Sequence, residues 1–216
     1  MRSRAYLSVV VFVYMATASV YAQFTPVIAR ERVTTETINN GKVVKTDVKE
    51  GEYYRTADGS TLERWTTLEG SRLSGTGTLF DNHALVTYHL NYRNMNAYES
   101  KFKPTQPVPA DSFANSSSLP SEGTGEVAGI ACTKIPFLME MPDGKRQRIG
   151  EACVSSQYNL ILRTETRNNG VAGSSTRTVK EMFQVRLNTP PDPQLFQVRG
   201  KFTVFTPDAT QPVSNE

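Results

Sequence analysis

The chain has 216 residues, 38% of them hydrophobic, with a formal net charge of +3 at pH 7. That length suits one domain with a sizeable core, and the interspersed charges make no electrostatic case for binding nucleic acid. Two cysteines without histidine neighbours make a poor zinc site.

Arg2 and Arg4 begin a basic segment, and Leu7 to Ala18 is an apolar stretch broken only by Ser8, Tyr14 and Thr17. Ser19-Val20-Tyr21-Ala22 then ends in the small-residue pattern of a signal-peptide cleavage site, so residues 1–22 read as a signal peptide cleaved after Ala22. The apolar run is shorter than the ~20 residues a membrane span needs, and no stop-transfer flank follows Gln23. The absence of a cysteine near the cleavage point argues against a lipid anchor. The mature chain is therefore expected to be periplasmic or secreted, not membrane-spanning, with a formal charge that falls from +3 to +1 when Arg2 and Arg4 leave.

Strand signals follow nearly everywhere. "VIARERVTTETI" and "KVVKTDVKEGEYYRT" flank Asn39-Asn40-Gly41, a hairpin turn signal, and Asp58-Gly59 gives a second. Tyr53, Tyr54 and Trp65 then fall on paired strands, where aromatic cross-strand pairs contribute roughly 0.2–1 kcal/mol each. "RLSGTGTLF" carries Gly75 and Gly77, which suggest a bulge or bend. "ALVTYHLNY" places Val86, Tyr88, Leu90 and Tyr92 on one face. "RNMNAYESKF" is a candidate helix.

Lys103 to Glu122, rich in proline and serine, reads as a flexible loop within one sheet or as an interdomain linker. "GTGEVAG" has neither the preceding strand nor the Gly-Lys-Ser/Thr of a phosphate loop, so its glycines read as hinges. Lys145, Arg146 and Arg148 follow Asp143-Gly144 and read as a solvated hairpin tip. "LILRTETR" joins "TVKEMFQVRL" across Asn168-Asn169-Gly170; the latter strand sets Val179, Phe183, Val185 and Leu187 on one face. "PDPQLF" allows one helical turn, and the tail at 207–216 reads as disordered.

Cys132 and Cys153 are an even pair in an oxidising compartment and are expected to form a disulfide, contributing about 3 kcal/mol in the chain-entropy model. Alternation through "VSSQYNLIL" sets Val154, Tyr158, Leu160 and Leu162 opposite Cys153, and "EVAGIACTKIPF" sets Ile135 opposite Cys132. Both sulfurs are thus expected on the outer side of neighbouring strands. His83 and His89, six apart on a predicted strand, would lie ~20 Å apart and read as surface residues, so no metal or cofactor is expected. No serine sits in a nucleophile elbow, and the carboxylates alternate with Lys or Arg along strands. Asn115-Ser116-Ser117 matches a glycosylation acceptor.

The fold class that emerges is mainly β: a single antiparallel, strongly curved sheet, half-barrel or open barrel, built of hairpins with at most one or two short helices, over residues 23–206. The run "ARERVTTETINNGKVVKTDVKEGEYYRTADGSTLERWT" and the later "GEVAGIACTKI", "GEACVSSQYNLIL" and "PPDPQLFQV" resemble uncharacterised secreted bacterial β-rich proteins, frequent in acidobacteria. The Pro/Ser loop and Thr56-Ala57 depart from that group's pattern. A looser similarity runs to periplasmic lipoprotein carriers of the LolA and LolB type, whose half-barrel wraps a helix over an apolar concave face; a long plugging helix is not evident here. Two non-enzymatic functions stay open. In one, Val86, Tyr88, Leu90, Tyr92, Tyr158, Leu160 and Phe183 line a curved face that binds a lipid, an acyl chain or a partner polypeptide. In the other, the protein is a structural or interaction component of the envelope with no small-molecule ligand, and those residues are core.

Overall fold

The computed structural model describes residues 24–69, 72–101, 121–140, 146–170 and 173–206. Residues 1–22, expected to be a signal peptide, most of the 103–122 stretch, Asn115, Lys145 and the tail 207–216 lie outside them.

Strands β1 (Val27–Asn39), β2 (Lys42–Arg55), β3 (Thr61–Glu69), β4 (Arg72–Asp81), β5 (Val86–Asn91) and β6 (Asn96–Lys101) form one antiparallel meander. Strands β7 (Thr124–Val127), β8 (Ile130–Glu140), β9 (Arg146–Ser155), β10 (Leu160–Asn169) and β11 (Ser174–Leu187) form a second. β11 returns beside β1, from Val27↔Leu187 to Asn39↔Ser174, so both meanders share one sheet. A short last strand, β12 (Thr203–Phe205), runs parallel to β6, and the order is β12-β6-β5-β4-β3-β2-β1-β11-β10-β9-β8-β7. The expected mainly-β, open, curved sheet is what the chain builds, with this one parallel pair as its exception.

Turn chemistry sets the meanders. Asn40 and Gly41 take φ of 49° and 77°, the positive pair that a two-residue hairpin needs. The β4–β5 and β5–β6 loops end on Leu85 and Met95 with φ of 52° and 53°. Asp81 Oδ1 accepts from the backbone N–H of His83 and Ala84, and Asn91 Oδ1 from that of Asn94, which satisfies the turn amides. The second of these turns occupies the start of the predicted helix "RNMNAYESKF", and Asn96–Lys101 of it is β6; Phe102 lies outside the described residues. Among the described residues only Pro193–Phe196 forms a helical turn, a 3-10 one, with Asp192 accepting from the Gln194 N–H at its start.

Bulges bend the sheet between Ile28 and Arg30 and between Ile161 and Arg163. The bend brings Ile130, Cys132 and Cys153 of β8 and β9 against Val27 and Ala29 of β1 and Tyr53 of β2, across the inside of the curl. A second core lies on the other face. There Tyr54, Leu62, Leu79, Val86, Tyr88, Leu90 and Ala97 of β2–β6 are covered by the crossover that leads from β11 to β12. Tyr53 and Tyr54 are sequence neighbours, so strand alternation sends one to each core. The crossover supplies Val198, which is buried and contributes about 1.5–3 kcal/mol, and the half-buried Leu195, Phe196 and Phe202. It does the covering that a long helix would otherwise do.

The disulfide joins Cys132 to Cys153. Both cysteines are buried, at 5% and 6% exposure, inside the curl and not on its outer side. Alternation misplaces them because "VSSQYNLIL" is no single strand: β9 ends at Ser155, and Leu160 begins β10 after a turn with Asn159 at φ 50°. The turn resets the phase, and Leu160 and Leu162 join the cysteines. A buried internal disulfide fits a protein matured in an oxidising compartment.

Candidate functional site

The rim of the sheet beside the crossover is built from two turns. In the β2–β3 turn, Asp58 accepts from the hydroxyls of Thr56 and Ser60, the latter at 2.8 Å. Asn82 of the β4–β5 turn donates to the Asp58 carbonyl at 2.7 Å, and its backbone N–H donates to the Ser60 hydroxyl at 3.1 Å, so the two turns form one unit. Burial pushes the Asp58 carboxyl up, but the bonds from Thr56 and Ser60 outweigh it and hold it below its ordinary value.

Between these turns and the proline-rich crossover opens a cavity of about 440 Å³. Its walls are mainly apolar: Pro26, Leu79, Pro190, Pro191, Pro193 and Phe196. Thr56, Ala57, Asp58, Ser60, Asp81 and His83 form its polar border. Prolines suit such a wall because their φ is fixed and they have no N–H to leave unpaired.

Beneath the rim, Arg55 is fully buried. Its guanidinium donates to the Tyr158 carbonyl at 2.6 Å, to the Asn159 carbonyl, and twice to the Thr25 carbonyl at 3.1 Å. Phe24 lies over it, 5.5 Å from guanidinium carbon to ring centre. One side chain thus ties β2 to the β9–β10 turn across the inside of the curl.

Further along the same face, Lys180 lies 3.1 Å from the buried Glu31 and 2.7 Å from Glu63, with its ammonium 5.9 Å from the Trp65 ring centre. Desolvation pushes the lysine down, but the charges of Glu31 and Glu63 outweigh it and hold its pKa above the ordinary value. On the opposite face Glu165 accepts from Arg177 and Arg163, and these bonds, against some desolvation, pull it down to about 2. The crowding of aromatics and charges along 53–66 therefore divides by strand alternation: Tyr53, Glu63 and Trp65 serve one face, Tyr54 and Arg64 the other.

The seven apolar residues singled out from sequence do not form one surface. Val86, Tyr88, Leu90 and Tyr92 pack together beneath the crossover, with Tyr92 edge-on to Phe202 at 5.4 Å. Leu160 is fully buried in the core inside the curl, and Tyr158 packs against it. Phe183 belongs to neither; Arg30 and Arg32 lie over its ring at 5.6 and 4.9 Å, held by Glu50. His83 is in a turn and only His89 is on a strand, contrary to the predicted shared strand, and both are exposed. Among the described residues no group of three His, Cys, Asp or Glu is placed to hold a metal, and no helix is long and apolar enough to cross a membrane. Sequence reasoning missed Leu79, Phe196 and the prolines as cavity walls; "NTPPDPQLF" carried that signal, since prolines that bar a strand leave a segment free to cross the sheet.

No protein family and no curated protein matches the chain in sequence. Solved structures give distant likenesses. An uncharacterized conserved protein from Thermus thermophilus is 11% identical over 82% of this chain and 90% of its own, at a TM-score of 0.41. A LolA superfamily protein from Nitrosomonas europaea is 10% identical over 82% and 91%, at 0.33. A putative outer membrane lipoprotein-sorting protein domain from Vibrio parahaemolyticus is 11% identical over 79% and 88%, at 0.30. At such scores they carry no functional argument.

Proposed function

We propose that the protein is exported, periplasmic or secreted after loss of residues 1–22, and is a non-enzymatic binder that holds a lipid or acyl chain in the rim cleft. The observation that carries this reading is the cavity of about 440 Å³ with apolar walls and a polar border. Ligand sites are commonly apolar clefts of roughly 300–1,000 Å³ with a few convergent polar groups. The carboxylates of Asp58 and Asp81 at the border repel a free fatty-acid headgroup, so the preferred ligand carries a neutral, hydrogen-bond-donating head. The face beneath the crossover is already filled by Leu195, Phe196, Val198 and Phe202, which confines the ligand to the rim.

The test is binding of a fluorescent acyl probe with a neutral headgroup. The Ala57→Trp variant fills the cleft from a half-buried turn position outside both cores. The expected result is saturable binding to the natural chain and loss of binding in the variant with an unchanged melting temperature. Equal binding by both overturns the reading. The second reading, an interaction protein of the envelope or a binder of a partner polypeptide, draws its support from Lys42–Glu50, exposed along its whole length.

A further inference from the structure

β2 pairs with β1 from Lys42 to Arg55, but on its other side it meets β3 only from Glu52 to Arg55. Beyond that, β3 leaves with β4, from Trp65↔Thr76 to Glu69↔Arg72. At the fork stands Gly51, where an added Cβ would lie 2.6 Å from the Trp65 ring and 2.8 Å from the Arg64 carbonyl. The indole packs against the side-chain position of Gly51 where the two strands part. Among the described residues, Lys42 to Glu50 therefore presents an unpaired strand edge, exposed throughout.

Such an edge is a template for another strand, and natural proteins blunt it with prolines, bulges or charge. This one has no proline and a single register shift, at Val44 near its turn end, and it exposes Val43, Val44 and Val48 at 53%, 57% and 56%. Its charges are not a uniform repellent: Lys42, Lys45 and Lys49 share the edge with Asp47 and Glu50.

We propose that this edge pairs with the same edge of a second copy, antiparallel and about a two-fold axis at Thr46. In that register Lys45, which already pairs with Asp47 of its own chain, also faces Asp47 of the second copy on each side of the axis, and the match is counted over the unbroken stretch from Lys45 to Glu50. Neighbouring registers lose this match. A slip of two residues away from the turn sets Lys45 against Lys49 and Asp47 against itself. Register is thus specified by charge. The inference does not depend on the ligand reading, since the rim cleft uses none of these residues.

The experiment is sedimentation velocity of the mature chain across a concentration series, with three variants at exposed positions. The natural chain is expected to form a dimer. Lys45→Asp, which sets two aspartates against each other, is expected to shift it to monomer, and Lys45→Asp with Asp47→Lys to restore the dimer. Thr46→Cys is expected to give an interchain disulfide under mild oxidation. A monomer at every concentration overturns the proposal. So does a dimer that ignores Lys45→Asp, or one that fails to cross-link through Thr46→Cys.

Discussion

Arg55→Met removes the tie between β2 and the β9–β10 turn while keeping most of the side-chain volume. The guanidinium makes four hydrogen bonds to the Thr25, Tyr158 and Asn159 carbonyls and is fully buried. Its loss leaves those carbonyls facing an apolar thioether. Hydrogen bonds to a charged group contribute about 1.5–3 kcal/mol, and each unsatisfied buried acceptor costs about 1–3 kcal/mol. These terms overlap and are partly relieved by water entry, which brings the expected destabilisation to about 3–5 kcal/mol. A chain of this size loses roughly 2–4 °C of melting temperature per kcal/mol, so the midpoint should fall by about 10 °C. Arg55→Lys should recover little, because a single ammonium cannot span the three carbonyls that the planar fork reaches. The assay is thermal and urea unfolding of the oxidised chain. A shift below about 2 °C for Arg55→Met would refute the claim that this side chain holds the curl closed.

Reducing the Cys132–Cys153 bond, which closes a 21-residue separation, should lower stability by about 3 kcal/mol, read from urea midpoints with and without reductant. Gly51→Ala forces a methyl group to 2.6 Å from the Trp65 ring, so it should cost about 1–3 kcal/mol and shift the emission of the single tryptophan. Glu165 titrates at about 2 in the folded chain against 4.5 unperturbed, so its contribution is full above pH 4.5 and fades as pH falls toward 2. Glu165→Gln should flatten that part of the pH–stability curve, whereas an unchanged acid limb would show that the Arg177 and Arg163 contacts add nothing.

Much of the fold is legible in the sequence because its signals are local. Asn40-Gly41 demands a hairpin, alternation in "VTYHLN" shows which side chains pack together, and an even pair of cysteines joins in a disulfide. The failures share one cause: alternation is a phase, and turns reset it. The four residues between Ser155 and Leu160 moved Cys153 from the predicted outside to the inside. The site is less legible. Arg55 looks like any strand arginine until the curl brings Tyr158 and Asn159 to it from more than 100 residues away. Four of the six apolar wall residues, Pro190, Pro191, Pro193 and Phe196, come from the crossover, which leads to the β12–β6 pairing, a parallel contact of three residues that no local pattern announces.

The most direct test of the binding account is a native mass spectrum of the mature protein purified from its own envelope. The account predicts a satellite peak heavier by the mass of an acyl-bearing molecule, absent from the Ala57→Trp variant prepared in the same way. A spectrum holding only the bare polypeptide, as monomer or dimer, would contradict it.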